Sequence, residues 1–162
     1  MASPVSELLA ELDSARGAFL DALGDVDEEL VTTPGVIDGW SVRDLVVHVA
    51  FWSEHAAGAL ELATAGRGAD FAYDRAQTDA MNADVLREAE AIDPSTALER
   101  EDRAFGAFRE RLAAIDERLL RLRLGNGDTV EEVVRYDGPE HYTEHAAHLR
   151  AWWSEDDDHD DE

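Results

Sequence analysis

Apolar positions along this chain recur at three- and four-residue steps, the period of an α-helix with one buried face. Val5, Leu8, Leu12, Ala15, Phe19 and Leu23 make the first stripe. It opens near Ser3 or Pro4, where proline suits a first helical turn, and stops at Gly24. Residues 25–39 carry Pro34, Gly35 and Gly39 and are expected to form a connecting loop. The second helix has the clearest start, because Ser41 followed three positions later by Asp44 spells a capping box. Leu45, Val49, Trp52, Ala56 and Leu60 line its inner face, and Ala65-Gly66-Arg67-Gly68 breaks it after Thr64.

A helical segment rich in alanine and mixed charge is expected from Tyr73 to Glu90. Asp93-Pro94 then supplies a cap and a first-turn proline for a long helix from Ser95 to Arg123. Its apolar set is Leu98, Phe105, Phe108, Leu112, Ile115 and Leu119, spaced 3-4-3-4 from Phe105 onward, which is bundle packing. Gly125-Asn126-Gly127-Asp128 is a turn, and Thr129 to Arg135 makes a short helix interrupted at Gly138-Pro139. The last helix is expected from Pro139 to Trp153, with Tyr142, His145, Leu149 and Trp152 inward. No strand-period alternation persists and no internal repeat is present, so the expected fold is all-α. We expect one domain over residues 1–153 and an acidic, disordered tail over 154–162, in which His159 is ordinary tail sequence.

Composition narrows the chemistry. Cysteine is absent from the 162 residues, so disulfides, thiolate nucleophiles and cysteine-ligated zinc are excluded. The net charge of −24 comes from 38 acidic residues against 14 arginines. A surface of that sign is expected to repel nucleic acid and anionic lipid, both recognised mainly through cation–phosphate attraction. No secretory signal and no apolar run of membrane-spanning length is visible, so the expected setting is cytoplasmic, with a small-molecule substrate as partner.

Five of the six histidines fall on two expected helices: His48 and His55 on the second, His141, His145 and His148 on the last. His141 and His145 are four apart and project from one helix face, so their imidazoles can converge on one ion. His48 shares the stripe of Leu45, Val49 and Trp52 and points inward. Three neutral imidazoles meeting between facing helices would suit Zn, Ni, Cu or Fe, with an open position left for water or substrate. The competing reading makes these histidines hydrogen-bonded core residues. A second register, His48 with Glu144 and His148, also satisfies the spacing. Glu144 or Asp44 is a candidate to orient a ligand through its carboxylate. His55 lies two turns beyond His48, about 10 Å along the axis, which suits a pocket wall or a surface contact better than a shared ion. The four tryptophans are expected first as packing residues and second as pocket walls.

The segment Asp38-Gly-Trp-Ser-Val-Arg-Asp-Leu-Val-Val-His-Val-Ala-Phe-Trp52 resembles the W-[ST]-x-x-[DE]-x-x-x-H segment of the DinB-like superfamily. Glu140-His-Tyr-Thr-Glu-His-Ala-Ala-His148 resembles its closing helix, in which two further ligands are carried four residues apart. The resemblance spans residues 4 to 153 and implies an up-down-down-up four-helix bundle and a divalent metal, most often Zn or Ni. It also implies frequent dimerisation, and it makes His48, His141 and His145 the ligand set. Some relatives are thiol-dependent transferases or isomerases, among them the mycothiol-dependent maleylpyruvate isomerases. A low-molecular-weight thiol is then an expected cofactor. Those relatives use Glu where this chain has His141, and many carry a C-terminal domain that is not found here. A second branch, the ClbS/DfsB-like bundles, includes proteins that protect against genotoxic metabolites. Tyr73-Asp74, Asp79-Ala-Met-Asn82 and Glu140-His-Tyr142 resemble that branch. It implies binding or hydrolysis of a small molecule with no required metal.

Overall fold

In the computed structural model, residues 2–157 are described, and they form six α-helices. These are α1 (Pro4–Gly24), α2 (Val42–Thr64), α3 (Thr78–Ala89), α4 (Pro94–Ala114), α5 (Val130–Arg135) and α6 (His141–Asp157). Among the described residues, the only extended pairings are two isolated bridges, Ile37 with Trp40 and Arg123 with Thr129. The chain is all-α, as its periodicity predicts.

Cross-helix contacts give the topology. Glu54 and Glu61 of α2 pair with Arg100 and Arg111 of α4, so these two helices run parallel. Asp13 and Arg16 of α1 pair with Arg109 and Glu101 of α4, so α1 and α4 are antiparallel. His48 meets His141 while His55 meets Asp137, so α2 is antiparallel to the last helical stretch. The four long helices therefore run up, down, down, up, with α3 packed against α2 at one side.

The caps read from sequence are present. Ser3 Oγ accepts from the Ser6 amide, and the Ser41/Asp44 capping box closes reciprocally at 3.2 and 2.9 Å. Leu8, Leu12, Ala15 and Phe19 of α1 are buried as expected, although Ala22 is buried while Val5 and Leu23 lie at the margin of the core. Central α2 is covered by α3, α4 and α6, so Val46, Val47, Ala50 and Ala59 are buried as well as the expected stripe.

Four boundaries differ from expectation. The fourth helix ends at Ala114, well short of Arg123, because Ile115 turns extended (ψ 143°) and Asp116 caps a separate 3₁₀ turn over Glu117–Arg121. Tyr73 and Asp74 are not helical; Asp74 accepts from the Ala76 amide and so starts a short 3₁₀ turn ahead of α3. Gly138-Pro139 does not interrupt the chain's last helix. One π turn, Tyr136–Glu140, joins α5 to α6 and accommodates the proline, which has no amide to donate and would clash inside a regular α turn. At Gly138 an added Cβ would lie 3.1 Å from Phe108 and 3.2 Å from Leu12, so any larger residue would press on both side chains. The helix also runs four residues past Trp153, to Asp157; the remainder of the expected acidic tail lies outside the described residues.

A polar network crosses the core, drawing one side chain from each long helix. Arg16 (α1) donates to both oxygens of Glu101 (α4) at 2.9 and 2.8 Å. Tyr142 (α6) donates to Glu101 Oε1 at 2.6 Å, and its oxygen lies 3.2 Å from the hydroxyl of Ser53 (α2). Glu101, Tyr142 and Ser53 are fully buried, so every group in this network has a partner where water cannot supply one.

Candidate functional site

The capping box fixes the start of α2 and therefore the inward phase of His48, two turns further on. The π turn ends at Glu140 and delivers His141 and His145 on one face of α6. The antiparallel crossing of these elements brings all three imidazoles together. His141 Nε2 lies 2.9 Å from His48 Nε2 and 2.9 Å from His145 Nε2, and one ligand atom from each falls within 4.8 Å of the others. Glu144 and His148, the second register read from sequence, are not part of this group. His148 instead touches the far side of His145, Nδ1 to Nδ1 at 3.2 Å.

Burial removes the charge from these rings. It lowers His48 to a pKa of about 3, with the His145 imidazole adding to the shift. His141 is lowered to about 3 by burial and by His48, and His145 to about 2 by burial, His141 and His148. All three are neutral at pH 7, the form that ligates metal. Three converging nitrogens cannot all be satisfied by protons shared among themselves. His48 Nδ1 and His141 Nδ1 are, in addition, buried without a hydrogen-bond partner. A cation at the focus of the three Nε2 atoms would engage every converging lone pair, so this donor set fits a divalent ion.

Among the described residues, no carboxylate orients the triad. Asp44 is committed to the Ser41 amide and to Arg43, and Glu144 lines the cavity without a hydrogen bond to any of the three rings. Trp40 fills part of that supporting role, its ring edge-on to His48 at 4.7 Å. The triad forms the floor of a cavity of about 580 Å³. Trp40 and Trp52 are walls of it, and α3 supplies the opposite side through Asn82 and Leu86. The Trp52 indole N–H donates to Asn82 Oδ1 at 2.9 Å, tying that wall to α2. A cavity of this size, mostly apolar with convergent polar groups at one end, is the usual form of a small-molecule site.

His55 does not line the triad's cavity but a smaller one beside it, and its partner was not visible in the sequence. Its Nδ1 lies 2.9 Å from Asp137 Oδ2, in the π turn. Burial raises the Asp137 carboxyl above its ordinary range, against the pull of His55. Nothing in the linear pattern announces this pair, because the π turn sets the direction in which Asp137 points.

Similar solved structures share the architecture. An uncharacterised protein from Escherichia coli UTI89 superposes with a TM-score of 0.81 at 16% identity, over 97% of this chain and 96% of its own. The colibactin self-resistance protein ClbS, solved in complex with a double-stranded DNA, gives 0.78 at 16% identity over 95% and 98%. The second likeness corrects one expectation. Exclusion of a nucleic-acid partner rested on net charge, yet a bundle of this fold is found with duplex DNA. A charge total sums the whole surface, whereas binding depends on the groups that one face presents locally. Among the described residues no helix is long and apolar enough to cross a membrane. No curated protein matches the sequence. Residues 12–150 match the model of the mycothiol maleylpyruvate isomerase N-terminal domain, and with this match over most of its length the chain belongs to that family, within the DinB-like superfamily.

Proposed function

We propose that this protein binds a divalent metal through His48, His141 and His145 and acts on a small molecule lodged in the adjoining cavity, with a low-molecular-weight thiol as co-substrate. The observation that carries this reading is the convergence of three neutral, buried imidazoles on the floor of a cavity of about 580 Å³. When bound, the ion would supply Lewis acidity and lower the pKa of a thiol or water at its open position. The chain's own part is to hold three lone pairs in one place, to keep the rings uncharged by burial, and to confine the ligand between Trp40, Trp52 and α3. The family's name points to mycothiol, and a chain without cysteine must take any thiol from outside.

The likeness to ClbS supports a second reading, in which the same cavity binds or hydrolyses a harmful small molecule without needing metal. Metal content of untagged protein, measured by mass spectrometry beside His145→Ala, separates the two. About one equivalent of Zn or Ni in the wild type, lost in the variant, is the expected result. No metal in either, even after loading, would sink the metal reading and favour the second.

A further inference from the structure

Two turns along α2 from His48, a second chamber opens beside the first. It encloses about 270 Å³ and shares Trp52, Tyr73, Thr78 and Asp137 with the larger cavity. His55 lines it, with Nδ1 held 2.9 Å from Asp137 Oδ2 and both side chains 14% exposed. Trp52, Phe71 and Tyr73 pack around the His55 ring at centroid distances of 4.9, 4.9 and 4.7 Å, so its orientation is fixed. With Nδ1 committed to the carboxylate, Nε2 is the ring nitrogen left for the chamber. An imidazole that donates Nδ1–H to a carboxylate carries its lone pair on Nε2, which is the arrangement of a general base.

We propose that His55 and Asp137 form a general-base dyad that hydrolyses a small ester lying across the two chambers, which meet at Trp52, Tyr73, Thr78 and Asp137. His55 Nε2 takes a proton from water as the water oxygen bonds to the ester carbonyl carbon. The bond from that carbon to the leaving oxygen then breaks, and the departing alkoxide takes the proton from the imidazolium, so ester and water become acid and alcohol. Asp137 is the positioning residue that sets the His55 tautomer. The site goes beyond the metal reading and needs no ion at the histidine triad.

The test uses the full chain and 4-nitrophenyl acetate, with initial rates measured as purified and after chelation, beside His55→Gln and Asp137→Asn. The wild type is expected to exceed an equal concentration of free imidazole and to keep its rate after chelation. His55→Gln should lose at least about tenfold, and Asp137→Asn at least several-fold. An unchanged rate in folded His55→Gln overturns the proposal. So does a rate that vanishes on chelation, which would assign the activity to the triad; metal content of the same samples reports on that other reading separately. The ¹⁵N imidazole spectrum of the wild type gives a readout that does not depend on a variant folding. The Nδ1–H tautomer of His55, disturbed in Asp137→Asn, is expected, and an Nε2–H tautomer in the wild type refutes the dyad.

Discussion

Tyr142→Phe deletes one oxygen atom from the centre of the bundle, and its effect can be worked out in advance. The hydroxyl donates to Glu101 at 2.6 Å between two fully buried side chains, the short, charge-assisted class of hydrogen bond. Such a bond contributes about 1.5–3 kcal/mol, and the Ser53 hydroxyl, left without its partner, adds about 1 kcal/mol. Phenylalanine fills the same space, so no cavity term enters. The two oxygens of Glu101 keep Arg16, which sets the sum near 3 kcal/mol rather than higher. With a urea slope of about 2 kcal/mol per molar, the unfolding midpoint should fall by roughly 1.5 M at unchanged slope. The double variant Glu101→Gln/Tyr142→Phe should lose less than the sum of the two single variants, since they share one network. A pH series gives an independent check. Burial and the Glu101 carboxylate raise the Tyr142 hydroxyl above its ordinary value of 10. The folded protein thus holds that proton more tightly than the unfolded chain, and this stabilisation is fully present below pH 10 and lost as pH rises beyond it. The gap between wild type and Tyr142→Phe should therefore narrow above pH 10. A midpoint shift worth less than about 1 kcal/mol would refute the claim that this hydrogen bond holds the core together.

Chelated wild-type protein should lose thermal stability as pH falls from the ordinary histidine value of 6.5 toward about 3, because His48, His141 and His145 are held neutral in the fold and charge only on unfolding. Melting temperatures across that range should fall more steeply than those of His145→Ala, and equal slopes would count against the burial argument. Gly125→Ala places a Cβ 2.1 Å from the Ala69 carbonyl oxygen, where the Gly125 amide also donates to Gly68 O at 3.0 Å. Backbone cannot yield as a side-chain tip can, so a loss of about 3 kcal/mol in urea unfolding is expected, and a neutral result would mean the two loops are not in contact. Asn82→Ala removes the acceptor of the Trp52 indole and should weaken hydrogen-exchange protection across residues 78–89 while global stability falls by about 1 kcal/mol. Unchanged protection there would show that α3 is not held by this bond.

The sequence carried the bundle and its triad because both rest on local rules. A capping box, a proline in a first turn and i,i+4 spacing are short-range patterns with one physical meaning each. His48, His141 and His145 were found together because helical phase and the family's motifs agree. What was not legible depends on exceptions to regular helix. The apolar spacing of Leu112, Ile115 and Leu119 continues past the true end of α4, and only Asp116, caps being ambiguous inside an acidic chain, hinted at the stop. Pro139 looked like an interruption, since a π turn leaves no signature in composition. The His55–Asp137 pair followed the same fate.

That π turn has a consequence for which side chains the bundle hides. Val134 and Tyr142 are both fully buried, yet eight residues of straight α-helix would set them about 80° apart around the axis. Taking one residue out of the count, as the wider turn does, brings them to within roughly 20°. Without it, the stripe that Val130 and Val134 begin would continue through His141 and His145, and both histidines would be driven into the seam that Tyr142 and Ala146 now occupy. A single residue of phase separates a bundle whose histidines are entombed from one whose histidines border a cavity. Chains of this length and apolar pattern that lack the extra residue should bring no histidine pair from the last helix to that cavity.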